Sequence, residues 1–175
     1  MSSSRRLTFT LIALLVISSV GIASALAIDD TWITTKVRIA LMTTDGAGRN
    51  AVKVDSDHGK VTLHGTVDSE AVKDKAEATA RAVGGVTDVR NLLQVVKESR
   101  QESVKAADKD VKDAVEKLLK GDKTLEGIKV KSVDNGLVFL GGSTTSLAIK
   151  LQAIEAVYGI SGVRQVASEI ETKEK

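Results

Sequence analysis

One segment of this chain occurs twice, and the second copy follows the first at a fixed offset of 77 residues. His58-Gly59-Lys60-Val61-Thr62-Leu63-His64-Gly65 returns as Asn135-Gly136-Leu137-Val138-Phe139-Leu140-Gly141-Gly142. The register then holds without a gap: Val72, Ala76, Ala80 and Val83 become Ile149, Ala153, Val157 and Ile160. Gly84-Gly85-Val86 becomes Ser161-Gly162-Val163, and Val89 becomes Val166. Apolar positions and glycines persist between the copies, while most charged positions change. A pattern that keeps interior and turns but not surface marks two copies of one folded unit. Each copy is roughly 70 residues, near the lower size limit for a self-supporting core. With Phe, Trp and Tyr at 2% of the chain, that core must be built from Val, Leu, Ile and Ala.

Residues 1–27 stand apart from both copies. Arg5 and Arg6 precede an unbroken apolar run from Leu11 to Ile17, and Ala25-Leu26-Ala27 matches a small-x-small cleavage pattern. These features predict an export signal, cleaved after residue 27 or else retained as an anchor, and hence a periplasmic protein. The apolar core is shorter than the roughly 20 residues a membrane span requires. With no cysteine in the chain, neither a lipidated N-terminal cysteine nor a disulfide can form. The 25 basic and 23 acidic residues become 23 and 23 once Arg5 and Arg6 are removed. A mature net charge of zero speaks against a nucleic-acid partner.

The spacing within residues 28–96 predicts the order helix, strand, strand, helix, strand. Ile33, Val37, Ala40 and Leu41 recur at helical spacing behind Asp29 and Asp30. Val52 and Val54 alternate with charges, Asp57-His58-Gly59 forms a turn, and Val61, Leu63, Gly65 and Val67 alternate again, which reads as a hairpin. Asp68 or Ser69 caps a helix with the stripe Val72, Ala76, Ala80 and Val83, and Val89 to Val95 forms a last strand. Residues 107–172 repeat the order, with Val111, Val115, Leu118 and Leu119 on the first helix and Val166 and Ile170 on the last strand. Residues 97–106 are charged and free of glycine and proline, which predicts a helical connection. The predicted fold class is α+β: two tandem α-β-β-α-β modules, each a three-stranded mixed sheet backed by two helices.

Asp30-x-x-Ile33-x-x-x-Val37-x-x-x-Leu41, then Val54, then Gly59-x-Val61-x-Leu63-x-Gly65-x-Val67, then Gly85-Val86-x-x-Val89-x-Asn91 resembles the BON domain. The resemblance covers residues 29–96 and, more loosely, 107–171. In the second copy Thr144 replaces the strand valine and residues 165–168 lack the asparagine. The resemblance implies a non-enzymatic envelope protein, with links to osmotic and envelope stress, phospholipid binding and assistance to outer-membrane proteins.

Two helices on one sheet face would leave the other face open. In the first copy that face carries Lys53, Asp55, Lys60, Thr62, His64 and Arg90, an ordinary solvated set. In the second it carries Lys129, Lys131, Leu137 and Phe139, with Arg164 at the exit turn. An apolar pair beside three cations suits an anionic phospholipid surface, or else packs against the other unit. Trp32 points toward Lys36 and Ile39, where it either anchors at a headgroup layer or caps the edge of the core. A second expectation uses the same apolar pair, or open strand edges, to hold unfolded outer-membrane proteins. A third is an envelope scaffold with affinity for neither. No motif predicts catalysis, a cofactor or a metal site: His58 and His64 have no evident third partner, and Gly84-Gly85 follows a helix where a phosphate loop would precede one.

Overall fold

The computed structural model describes residues 29–44, 47 and 52–173; the leader assigned to residues 1–27 lies outside them. The first module begins with α1 (Asp30–Met42), where the Asp29 carboxylate accepts from the Thr31 amide at 2.9 Å. The helix buries Ile33, Val37 and Leu41, the face its spacing predicts. β1 (Lys53–Asp57) and β2 (Lys60–His64) form the hairpin. His58 and Gly59 both have positive φ, 49° and 79°, the pairing a two-residue turn of inverted type requires. α2 (Glu70–Arg81) returns the chain so that β4 (Asp88–Asn91) runs parallel to β2. Gly65, at φ 119°, kinks the sheet here. Beyond it β3 (Thr66–Val67) and β5 (Gln94–Val95) continue the pairing as a separate short ladder.

A short 3-10 turn at Glu98–Arg100 leads into α3 (Gln101–Gly121), which joins the modules and serves as the first helix of the second. β6 (Ile128–Asp134), β7 (Leu137–Thr144), α4 (Leu147–Tyr158) and β8 (Gln165–Thr172) follow. Sheet orders are β1-β2-β4 and β6-β7-β8, each with one antiparallel and one parallel pair. This is the predicted α+β architecture of two mixed three-stranded sheets, each with two helices.

The same clamp sets the hairpin turn in both modules. Asp30 accepts from the amides of His58 and Gly59 at 2.8 and 3.0 Å and from Ser56 Oγ at 2.8 Å. Asp108 accepts from the amides of Asn135 and Gly136 at 2.7 and 2.8 Å. A carboxylate on the first helix thus ties down the two amides that a tight turn leaves unpaired.

Each module has its own core between sheet and helices. Val61 and Leu63 join Ile33, Val37, Ala76 and Ala80; Val138 and Leu140 join Val111, Val115, Ala153 and Val157. The opposite sheet faces, expected to be open, meet each other. Leu137 and Phe139 are 2% and 0% exposed and pack with Ala167 against Leu92 of the first module. The first module's supposedly solvated face is corrected as well, since Thr62 and His64 are each 3% exposed. Thr62 Oγ1 donates to Glu169, and Arg90 Nη1 donates to the Ser168 carbonyl at 3.3 Å. The molecule is therefore four layers deep, helices outside and two sheets within. The parity argument placed these side chains on the correct face. Of the two readings of the apolar pair, packing against the other unit is the one observed: a second sheet in the same chain covers that face.

Candidate binding surface

Of the residues predicted to bind a surface, the seam takes the apolar pair and occupies one cation. Leu137 and Phe139 are inside it. Lys131 spans it, with Nζ 3.6 Å from Asp55 and 3.4 Å from Glu169, 5.2 Å above the Phe139 ring. Lys129 is exposed at the start of β6. Arg164 is exposed at the opposite end of the sheet, where Nη1 donates to the Asn135 carbonyl at 3.4 Å. Trp32 lies on the outer side of α1, 55% exposed with Lys36 Nζ 4.9 Å over its ring. These residues do not converge on one patch.

Large apolar side chains reach solvent on α1, where Ile39 and Met42 are exposed with Trp32, and as a longer stripe on α4. Leu147, Leu151 and Tyr158 are 60%, 56% and 54% exposed, with half-buried Ile154 between them. At 100° per residue the four positions fall within about 60° of the helix circumference and span roughly 16 Å. The opposite side of α4 is apolar too, burying Ala153 and Val157 in the module core. α4 is thus apolar on two sides, with Lys150, Gln152 and Glu155 as its polar residues, and only the core side is fully buried.

The first module is an internal reference for that anomaly. At the 77-residue offset, Leu147, Leu151, Ile154 and Tyr158 correspond to Glu70, Asp74, Glu77 and Arg81 of α2. There the same face is charged: Arg81 pairs with Glu77 at 2.7 Å, which with Asn91 holds the Glu77 carboxyl below its ordinary range. The fold therefore tolerates charge at the three exposed positions, and Leu147, Leu151 and Tyr158 answer to something other than the core, while Ile154 packs partly against it. The repeat alignment carried this signal in the sequence; reading each helix only for its core stripe passed over it.

The strand edges beside α4 are closed to added strands. The Ile170 carbonyl accepts from Lys150 Nζ at 2.8 Å and the Ser168 carbonyl from Arg90, so the middle of the β8 edge is capped by two cations. The β6 edge shifts register between Val130 and Ser132, placing Lys131 in a bulge beside Lys129. Bulges and edge lysines are the ordinary protections against edge-to-edge pairing.

Asp30, Asp57 and His58 bring three ligand-type atoms within 4.8 Å of one another. The clamp and the 2.6 Å contact of His58 Nδ1 with Asp57 already use these atoms, which makes the group a turn fastening. Backbone donation from Gly59, then Ser56, holds the Asp30 carboxyl below its ordinary range.

Two mixed α+β units, joined sheet to sheet by a helix and presenting an uncharged outer helix face, define a tandem-module protein. The chain belongs to the BON domain family, whose model matches residues 29–97 and 107–174. It is 33% identical over 149 residues to the osmotically-inducible protein Y of Escherichia coli (strain K12), covering 83% of this chain and 73% of that protein. Among solved structures it is similar to the C-terminal domain of CdsD, the structural protein of the Type III secretion system of Chlamydia trachomatis. That likeness has a TM-score of 0.33 at 17% identity, covering 83% of this chain and 68% of the other. A second CdsD structure gives 0.35 at 12%, covering 81% and 92%. Scores this low carry no structural correspondence.

Proposed function

We propose that this is an osmotic-stress protein of the cell envelope that attaches reversibly to phospholipid surfaces, a binding protein and not an enzyme. The osmotic role is supported by the identity to an osmotically inducible relative. A periplasmic site after cleavage near residue 27 is supported by the pattern of Arg5, Arg6, Leu11 to Ile17 and Ala25-Leu26-Ala27. Among the described residues no helix is long and apolar enough to cross a membrane.

The observation that carries the reading is the face of α4 formed by exposed Leu147, Leu151 and Tyr158 with half-buried Ile154, charged at every equivalent position of α2. Burying a side chain of this size fully is worth about 1.5–3 kcal/mol. Half-exposed groups gain less, so four of them give an attachment of about 4 kcal/mol, weak and reversible. A stable protein interface needs roughly 800 Å² per partner, more than one helix face of this length offers. A bilayer asks only for shallow insertion of an apolar helix side, with Tyr158 suited to the headgroup boundary. Because Lys150 is tied to β8, the face carries no unengaged cation of its own, and attachment depends only mildly on salt. Strand addition by unfolded outer-membrane chains is disfavoured by the guarded edges of β6 and β8.

The test replaces the four residues by their α2 counterparts, Leu147→Glu, Leu151→Asp, Ile154→Glu and Tyr158→Arg, and measures co-sedimentation with anionic and zwitterionic vesicles. The native protein should bind and the graft should lose at least about tenfold, in line with a loss above 1.4 kcal/mol. Equal sedimentation of the two proteins would remove the reading.

A further inference from the structure

The seam between the sheets contains charge where an interface between modules needs none. His64 sits at its centre with its side chain 4% exposed and its ring 5.3 Å from that of Phe139. Nε2 lies 2.9 Å from Asp55 of its own module, and Nδ1 lies 3.9 Å from Asp134 of the other. Asp134 is itself 12% exposed. Among the described residues, His64 Nδ1, Asp134 Oδ2 and Ser132 Oγ are buried without a hydrogen-bond partner.

A neutral imidazole has one N–H and can serve one carboxylate. With that proton on Nε2 toward Asp55, the Nδ1 lone pair faces Asp134, and two acceptors oppose each other in a dry site. An imidazolium donates from both nitrogens, one toward each module. The other charges around the ring do not replace it. Lys131 of β6 is shared between Asp55 of β1 and Glu169 of β8, and Glu169 also accepts from Thr62. Arg90 of β4 is engaged on the Ser168 carbonyl. Lys53 of β1 contributes only a distant attraction to Asp134. Among the described residues, His64 is the one basic group within 4.0 Å of Asp134. The apolar part of the seam is small, Leu92 against Leu137, Phe139 and Ala167, so the polar part has leverage over closure.

We propose that the seam is a proton-operated latch: with His64 protonated between Asp55 and Asp134 the two modules are held together, and loss of that proton lets them part. Burial alone would push the imidazole down, but the two carboxylates outweigh it and hold it above 6.5. Hydrogen bonding to His64 holds Asp55 low; burial pushes Asp134 up, and His64, with Ser132, reverses that shift. Parting bares Leu92, Leu137, Phe139 and Ala167, a second apolar surface separate from α4.

Small-angle scattering of the purified protein at about pH 5.5 and about pH 8.5, on either side of the imidazole range, tests the latch. The native chain should be compact at the lower pH and longer at the higher, while His64→Gln should give one shape at both. NMR titration of His64 supplies the second readout, with core methyl signals of each module confirming that variants are folded. Asp134→Asn should lower the His64 midpoint, each unit standing for a tenfold change in the closed-to-open ratio. A native protein of unchanged shape across this range, or a His64 midpoint indifferent to Asp134→Asn, overturns the proposal.

Discussion

Phe139 shows what one side chain can and cannot announce. Its alternation with Val138 and Leu140 fixes which way it points, because side-chain parity in a strand is strict. What it touches is settled by a residue 47 positions earlier, Leu92 of the other module. No periodicity within the second copy encodes that partner. Phe139→Ala should therefore cost about 3–5 kcal/mol in urea unfolding, the range for a buried aromatic. A loss below about 1 kcal/mol would place the ring at a surface. Asp108 is a similar case. It reads as one of several interleaved acids on a charged helix, yet its two oxygens hold the Asn135 and Gly136 amides. Asp108→Ala should destabilise the second module on the order of 2 kcal/mol, where the neighbouring Asp110→Ala should change little.

At the scale of elements, strands and helices were legible because each has one buried stripe and a recognisable end. Val61, Leu63, Val138 and Leu140 faced the helices as expected, and Gly59 and Gly136 marked the turns. α4 defeated the same reading because it is apolar on two sides, so its outer face hid behind its inner one. The four-residue graft from α2 also tests this element on its own. Its three exposed changes, Leu147→Glu, Leu151→Asp and Tyr158→Arg, should together leave the urea midpoint within the equivalent of about 0.5 kcal/mol, since such positions already carry charge in the first module. A large loss from these three would mean that they are needed for folding; Ile154→Glu, at a half-buried position packed on the core, should carry the larger cost. Lys150 offers the complementary case. Lys150→Met keeps the apolar stem along α4 but releases the Ile170 carbonyl on the β8 edge. Concentrated solutions of this variant should aggregate faster than the native chain in light scattering, with an unchanged helix signal in circular dichroism.

For the whole molecule, the question is whether two cores and a seam melt as one body. Each module closes its own apolar core; α3, with the Gln101 side chain on the Val96 carbonyl, and the seam couple them, and the seam's share follows pH in a direction the residues fix. Closure raises the His64 pKa, so the stability it confers is complete below 6.5 and is lost as pH rises through the raised value. Asp134, across the seam from His64, is held below 3.8, so its contribution is present above 3.8 and is lost as pH falls through its lowered value. Asp55, held low chiefly by His64 of its own module, adds to closure through Lys131 over the same range. The three overlap between about pH 4 and about pH 6.5, where the seam is strongest. Calorimetry at about pH 5.5 should give one cooperative transition for both modules, and at about pH 8.5 two that separate. The Asp134→Asn variant should approach the two-transition form already at the lower pH, because its seam no longer holds the second carboxylate that charged His64 answers. If the native chain melts in a single transition throughout, the apolar contact of Leu92 with Phe139 couples the modules without help from the charges. Asp134 would then be a buried carboxylate that the seam tolerates and does not use.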